Sequence, residues 1–285
     1  MSQLMLNSHT HLFIYIINIR TIHLISRKKL MRFTKFFGFA LTMALTACGG
    51  GGGGATPATQ QSAEGVWVGS TTSSTGATTP AIGLILDTGE YFFGTGSDYS
   101  GVSFGTASVS GATVTSSNMR DYYPSLGSLV SGSFTGSVTT NSTLSVNIFE
   151  VYSGTTYTGT GNFTFDSTYN EPSSLAMIAG TYVSPNAFGT SYTYTVDANG
   201  VLSGSSTNCS FAGQLTVRNS AKNIYNLSLT TGNTAGHTCA VGARTLQGAA
   251  TYVVMPGRTR RALVLISLAS ANNYYYWVTG AGEKQ

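Results

Sequence analysis

The chain is 285 residues long, enough for one or two domains, and carries 14 Lys/Arg against 10 Asp/Glu, a formal net charge of +4. The positive balance is local. Six of the basic residues (Arg20, Arg27, Lys28, Lys29, Arg32 and Lys35) precede Cys48, so eight bases and all ten acids follow it, a net of −2 there. A nucleic-acid partner loses its electrostatic support, and none is expected.

Residues 1–30 fit no targeting pattern: their apolar patch, 12–19, is too short to span a bilayer and stops at Arg20. They are read as an upstream extension ahead of a start at Met31. From there Arg32 and Lys35 lead into an apolar run (Phe36, Phe37, Phe39, Leu41, Met43) and then small residues up to Cys48, which is the order of a signal peptide. The tetrad Leu45-Thr46-Ala47-Cys48 resembles the lipobox of bacterial lipoproteins. That resemblance implies a signal peptide over 31–47, acyl chains on Cys48 and a membrane partner held through the N-terminal lipid. Gly49 after the cysteine, rather than Asp, resembles lipoproteins sorted to the outer membrane; the facing side, cell surface or periplasm, stays open. Residues 49–54 are all glycine, and 48–63 is expected to form a flexible tether reaching roughly 20 Å.

From Glu64 onward Thr, Ser, Gly, Val and Tyr dominate, in short alternating runs broken by turn signals. The expected fold is all-β: two related small antiparallel β-barrel or sandwich units over 64–170 and 178–280. "SYTYTVDANGVLSGS" places a hairpin turn at Asp197-Ala198-Asn199-Gly200, and a second turn is expected at Pro256-Gly257. "PSSLAMIAG" (172–180) is the one helical turn, read as a connector. A weak repeat relates the units: "EGVWVGS" (64–70) to "AGTYVSP" (179–185), "LDTGEYFFG" (86–94) to "VDANGVLSG" (196–204), and "SFTGSV" (133–138) to "SFAGQL" (210–215). The third echo requires extra residues in the first unit, at about 96–132.

With Cys48 committed to lipid, Cys209 and Cys239 remain as an even pair in an exported chain, which reads as a disulfide with two buried free thiols as the alternative. His237 is the only histidine after Cys48, so no metal site is expected, nor any cofactor. "GVSFG" (101–105) matches the G-x-S-x-G elbow, with Ser103 as nucleophile and Asp166, Asp197 and His237 downstream. The elbow needs a helix behind its serine, and another strand-like run follows instead, so no catalytic residue is assigned. Asp87 and Glu90 flank a turn and are read as turn formers. The candidate binding surface combines Tyr274, Tyr276 and Trp277 from "NNYYYWVTG" with the basic cluster Arg258, Arg260 and Arg261. A transmembrane barrel needs strands of about 9–11 residues with apolar outward faces, whereas these are mostly Thr and Ser and the chain is expected to be lipidated, so none is expected.

Gly65-Val66-Trp67, "SSNMRDY" (116–122), "SSLAMIAGTY" (173–182), Cys209 with "FAG", "KNIYNLSLT" (222–230) and Cys239 together resemble a group of uncharacterised two-unit proteobacterial envelope lipoproteins. Asn208 stands where that pattern has glycine before the first cysteine. The resemblance implies an envelope lipoprotein with no assigned activity. The expected function is a lipid-anchored, non-enzymatic binding protein of the outer membrane with a protein or glycan ligand. A periplasmic accessory or inhibitor protein is the alternative, and a lipid-anchored hydrolase comes third.

Overall fold

The computed structural model describes residues 59–96, 99, 101–123, 128–184, 192–239, 241–255, 259–271 and 274–285, with backbone alone at 192, 269–271 and 274–278. The upstream extension, the signal peptide, Cys48 and the glycine run lie outside these residues. So do Arg258, the Pro256-Gly257 turn and the side chains of Tyr274, Tyr276 and Trp277.

The fold is all-β, as two eight-stranded antiparallel barrels in tandem. The first contains β1 (Gly65–Ser73), β2 (Thr78–Ile85), β3 (Glu90–Thr95), β4 (Gly101–Thr106), the short β5 (Ser108–Ser110), β6 (Thr113–Tyr123), β7 (Ser128–Thr139), β8 (Thr143–Tyr152) and β9 (Thr155–Phe165). Sequence neighbours pair, β9 returns to β1, and β4 reaches past β5 to β6, closing the cylinder. After a 3-10 turn (Ser167–Asn170) and the helical turn α1 (Leu175–Ile178) comes the second barrel. It runs through β10 (Gly180–Ser184), β11 (Tyr192–Val196), β12 (Val201–Ser205), β13 (Cys209–Asn219), β14 (Ile224–Asn233), β15 (Arg244–Val254), β16 (Arg261–Ala271) and β17 (Tyr274–Lys284). Up-and-down order with closure removes every long free edge.

Alternation explains why these sequences close. In β8, Leu144, Val146 and Ile148 point inward, while Thr143, Ser145 and Asn147 point out. The interior of the first barrel is apolar (Trp67, Ile85, Tyr91, Phe93, Phe134, Phe163), and so is that of the second (Tyr182, Tyr194, Leu215, Leu227, Leu263). The free outer walls of β7 and β9 carry exposed Thr, Ser and Asn, the inverse of a membrane-spanning barrel.

The first two sequence echoes are structural equivalents. Gly65 opens β1 and Gly180 opens β10, both at φ 152°. Two residues on, Trp67 Nε1 donates to Ala63 O at 2.8 Å and Tyr182 OH donates to Ile178 O at 2.6 Å, each reaching back four residues. Gly89 (φ 84°) and Gly200 (φ 81°) turn equivalent hairpins, and each carbonyl accepts from the next wall, from Ala107 N and Leu215 N, both at 2.8 Å. The third echo is not equivalent: "SFTGSV" lies in β7, the sixth barrel strand of its unit, and "SFAGQL" in β13, the fourth of its own. Both stretches put Phe and Gly among Ser and Thr at a strand's width, a pattern any wall of such a barrel can write. No insertion is needed, because both barrels have eight strands.

One end of each barrel is closed. Gln60 and Gln61 strap the entering chain across the first: Gln60 Nε2 donates to Val109 O at 3.1 Å, Gly111 N donates to Gln60 Oε1 at 3.0 Å, and Thr140 N donates to Gln61 Oε1 at 2.8 Å. The tether expected to run to residue 63 is thus held from Gln60 onward. Helix α1 closes the second barrel with Ile178, its first turn capped by Ser174.

The two barrels pack wall to wall. Val66, Leu84, Phe92, Phe104 of the first meet Val253, Met255, Ala262 and Ile266 of the second, all buried in one cluster. Two ion pairs rim this seam: Arg218 to Asp87 (Nε–Oδ1 3.0 Å) and Arg261 to Glu171 (2.6 and 2.7 Å, bidentate).

Candidate binding site at the far end of the first barrel

At the first barrel's other end, among the described residues near the β1–β2 and β8–β9 turns, alternation breaks its own rule. Continuing the inward series of β8 past Ile148 puts Glu150, not an apolar residue, on the inner face. In β6 a register shift between Ser116 and Met119 re-aims the strand, so that Met119, Asp121 and Tyr123 face in. Ser103 of β4 lies directly across from Asp121. Asp121 is 8% exposed and Glu150 5%.

Two carboxyls this deep cannot both ionise. Burial pushes the Asp121 carboxyl well above the usual carboxylate range, the neighbouring Glu150 adds to it by repulsion and by their mutual hydrogen bond, and hydrogen bonds from Ser103 and Tyr123 only partly oppose the rise. The Asp121 carboxyl therefore binds a proton more tightly than an exposed one does. Tyr123 OH donates to Glu150 Oε2 at 2.8 Å, and its own ionisation is pushed up, first by burial and then by the two acids. No donor other than the neighbouring acid reaches Asp121 Oδ1 or Glu150 Oε1, so the two carboxyls depend on their mutual hydrogen bond.

The lumen holds a cavity of about 40 Å³ lined mainly by apolar side chains, among them Ile85, Phe93, Met119, Phe134, Leu144 and Phe163, and not by either acid. That is too little for an organic ligand. Around it the rim is unusually apolar for a surface: Tyr123 is 37% exposed, Phe149 43%, Val151 54% and Tyr157 49%. Tyr157 lies opposite Glu150 in the β8–β9 register.

The sister barrel shows what is particular to this end. Counting four residues back from the equivalent Ala107 and Leu215 reaches Ser103, which faces Asp121, and Phe211, which faces Thr231. Thr231 is also buried, but its hydroxyl donates to Gly242 O at 2.6 Å. The acid pair belongs to the first barrel.

The residues singled out from sequence are distributed differently. Tyr274, Tyr276 and Trp277 begin β17 at the disulfide end of the second barrel, and Arg260 and Arg261 lie beside the connector at its opposite end. The eleven residues of β16 separate the two groups by about 33 Å, so the structure does not bring them into one surface. Arg260 is exposed, whereas Arg261 is bound to Glu171 and lies 5.7 Å from the Tyr252 ring. The Arg261 hydrogen bonds hold the Glu171 carboxyl below its ordinary range. Cys209 and Cys239 are joined in a disulfide. Ser103 sits within β4 rather than on a strand-to-helix elbow, and His237 belongs to the other barrel's disulfide loop, so no Ser–His pair forms. Among the described residues no group of three or more His, Cys, Asp or Glu could hold a metal.

Asp121 and Glu150 were not picked out from sequence, although Asp121 lies inside the "SSNMRDY" stretch. The available signal was parity: Glu150 continues the Leu144, Val146, Ile148 series. For Asp121 the bulge hides that signal. Two further cavities look less like sites. One of about 50 Å³ is apolar and belongs to the seam between the barrels. The other, about 240 Å³, lies under the Gln60–Gln61 strap, where Glu64 accepts from Tyr169 OH at 2.7 Å and Asp87 is bound to Arg218.

The chain matches no protein-family model, no curated protein and no solved structure.

Proposed function

We propose that this chain is a lipid-anchored binding protein of the bacterial outer envelope, carrying two fused barrels on a glycine tether and working by contact rather than by catalysis. The observation that carries the binding half is the far end of the first barrel, where two buried, hydrogen-bonded acids lie near exposed aromatic side chains. Buried acids with raised proton affinity concentrate at functional sites. The lumen is too small for the barrel to act as a calyx, so recognition takes place at the rim. The anchoring half rests on Leu45-Thr46-Ala47-Cys48 and the glycines that follow.

Protease shaving of intact cells, with Cys48→Ala as control, tests the reading. Fragments from beyond residue 54 released before the outer membrane is breached support surface display, and Cys48→Ala should move the protein into the soluble fraction. Protection until lysis would redirect the search to a periplasmic partner, the accessory or inhibitor role. A Cys48→Ala protein that stays membrane-bound would remove the anchor.

A further inference from the structure

We propose that Asp121 and Glu150 form a proton-dependent latch across the closing edge of the first barrel. With a proton between them the β4–β6 edge is held shut, and loss of that proton as pH rises lets this edge open locally while the rest of the molecule stays folded. The inference goes beyond the binding role and needs neither the lipid anchor nor a ligand.

The geometry itself calls for a proton. Asp121 and Glu150 hydrogen-bond each other and are 8% and 5% exposed. A carboxylate only accepts, so two carboxyls share a hydrogen bond only when one of them is protonated. Among the described residues no other donor reaches Asp121 Oδ1 or Glu150 Oε1, so no other group holds that place. The two acids stand on β6 and β8 with β7 between them, a backbone separation of roughly 10 Å. They meet because the β7 residue paired with Glu150 is Gly132. A Cβ there would lie 3.0 Å from Glu150 Cγ and 2.5 Å from Met119 Cε, so only glycine leaves the two side chains room to cross the strand.

Location makes the pair a latch. The first barrel closes where β4 meets β6, and among the described residues that ladder is three pairs long: Val102–Tyr122, Ser103–Asp121 and Phe104–Arg120. Asp121 occupies the middle pair and is hydrogen-bonded by Ser103. The register shift between Ser116 and Met119 lies directly beside it. A short ladder next to an irregularity opens at lower free energy than the long ladders around it. The bond from Asp121 to Glu150 ties this short closing ladder to β8, whose own ladders with β7 and β9 are long.

The surrounding groups leave the acids as the switch. Tyr91 of β3 and Tyr123 of β6 have hydroxyls held above their ordinary range by burial, so neither ionises where carboxyls do. Tyr157 of β9 lies across from Glu150, and β7 presents only Val130 and Gly132 to the two acids. Arg120 alternates outward on β6, and its Nη1 donates to Met119 O at 3.0 Å rather than to either acid. When the proton leaves to solvent, two carboxylates remain side by side in a buried place, a repulsion relieved by parting. The proton is bound more tightly in the latched state than in the opened one. The latch is therefore fully engaged at low pH and is lost as pH rises through the latched pair's own titration.

Hydrogen exchange read by mass spectrometry tests this, on the full-length protein in detergent micelles between about pH 5 and 9, with each rate divided by the intrinsic rate at that pH. Protection of β4 and of the 119–123 stretch of β6 should fall about tenfold or more as pH rises, while that of β14 in the second barrel stays constant. Asp121→Asn keeps the shape and cannot ionise, so its protection should be independent of pH. Ser103→Ala removes a hydrogen bond that favours the ionised acid, so the loss of protection should move to higher pH. A wild-type profile that is flat, or an Asp121→Asn profile that matches the wild type, would overturn the proposal. Loss of protection in β14 together with β4 would also overturn it, because that is unfolding of the whole chain. If Asp121→Asn does not fold by near-UV circular dichroism, Ser103→Ala decides: an unchanged or lower transition pH contradicts the latch.

Discussion

Asp121 binds its proton more tightly in the fold than in water. Its folded-state affinity for that proton is raised by burial and by Glu150, so its contribution to stability is fully present below the ordinary carboxylate range near 4 and is lost as pH rises through the raised folded value. Asp121→Asn keeps the shape and removes the titration. Thermal denaturation should then show the wild type losing stability relative to the variant as pH is raised above about 4, by up to about 1.4 kcal/mol per pH unit. Parallel pH profiles would contradict the assignment of the proton. A second residue-scale contrast concerns glycine. A Cβ on Gly89, at φ 84°, would lie 2.3 Å from Ala107 O, whereas one on Gly111, at φ 60°, would meet nothing within 4 Å. Gly89→Ala should therefore cost more than about 2 kcal/mol in denaturant unfolding and Gly111→Ala only about 1 kcal/mol. Equal costs would mean that the hairpin is free to shift. Sequence alone revealed the turns at Asp87–Glu90 and Asp197–Gly200, because Asp and Gly within a few residues favour a turn. It did not reveal Asp121, because a bulge between Ser116 and Met119 erases the alternation that sets its face.

At the scale of elements, local chemistry was legible and long-range register was not. Asp197 caps its turn through Oδ1, accepting from Asn199 N and Val201 N at 2.8 Å each, and Ser174 caps the short helix, as the residue types require. The "SFTGSV"/"SFAGQL" echo failed because strand position in a barrel depends on how many strands came before, which a six-residue match does not encode. The disulfide could be inferred from parity and compartment. Cys209 and Cys239 tie the start of β13 to the loop after β14, closing a separation of 30 residues. Cys209→Ser with Cys239→Ser should lower the unfolding free energy by about 3.5 kcal/mol in the chain-entropy estimate. An unchanged denaturation midpoint would show that the surrounding bonds, among them Cys239 N to Asn233 Oδ1 at 2.9 Å, hold the loop unaided.

At the scale of the molecule, two barrels share one apolar seam. Leu84, Phe92, Met255 and Ile266 are buried there only because the walls meet. The full chain should accordingly unfold in one cooperative transition by calorimetry. Leu84→Arg with Ile266→Arg buries unpaired charge in the seam and should split that transition in two while each barrel keeps its strands. A split transition in the wild type would contradict a shared seam. This joint was invisible in the sequence: Val66, Leu84 and Ile266 sit on strand faces that read as solvent-facing or core-facing with equal ease, and only the partner wall decides. In the proposed reading Cys48 holds the joined barrels to a membrane, and the mass of the N-terminal peptide recovered from the membrane fraction tests that most directly. The account predicts a mature chain that begins at Cys48 with its thiol and amine bearing acyl groups. An unmodified Cys48, or a chain that still carries residues 31–47, would contradict it.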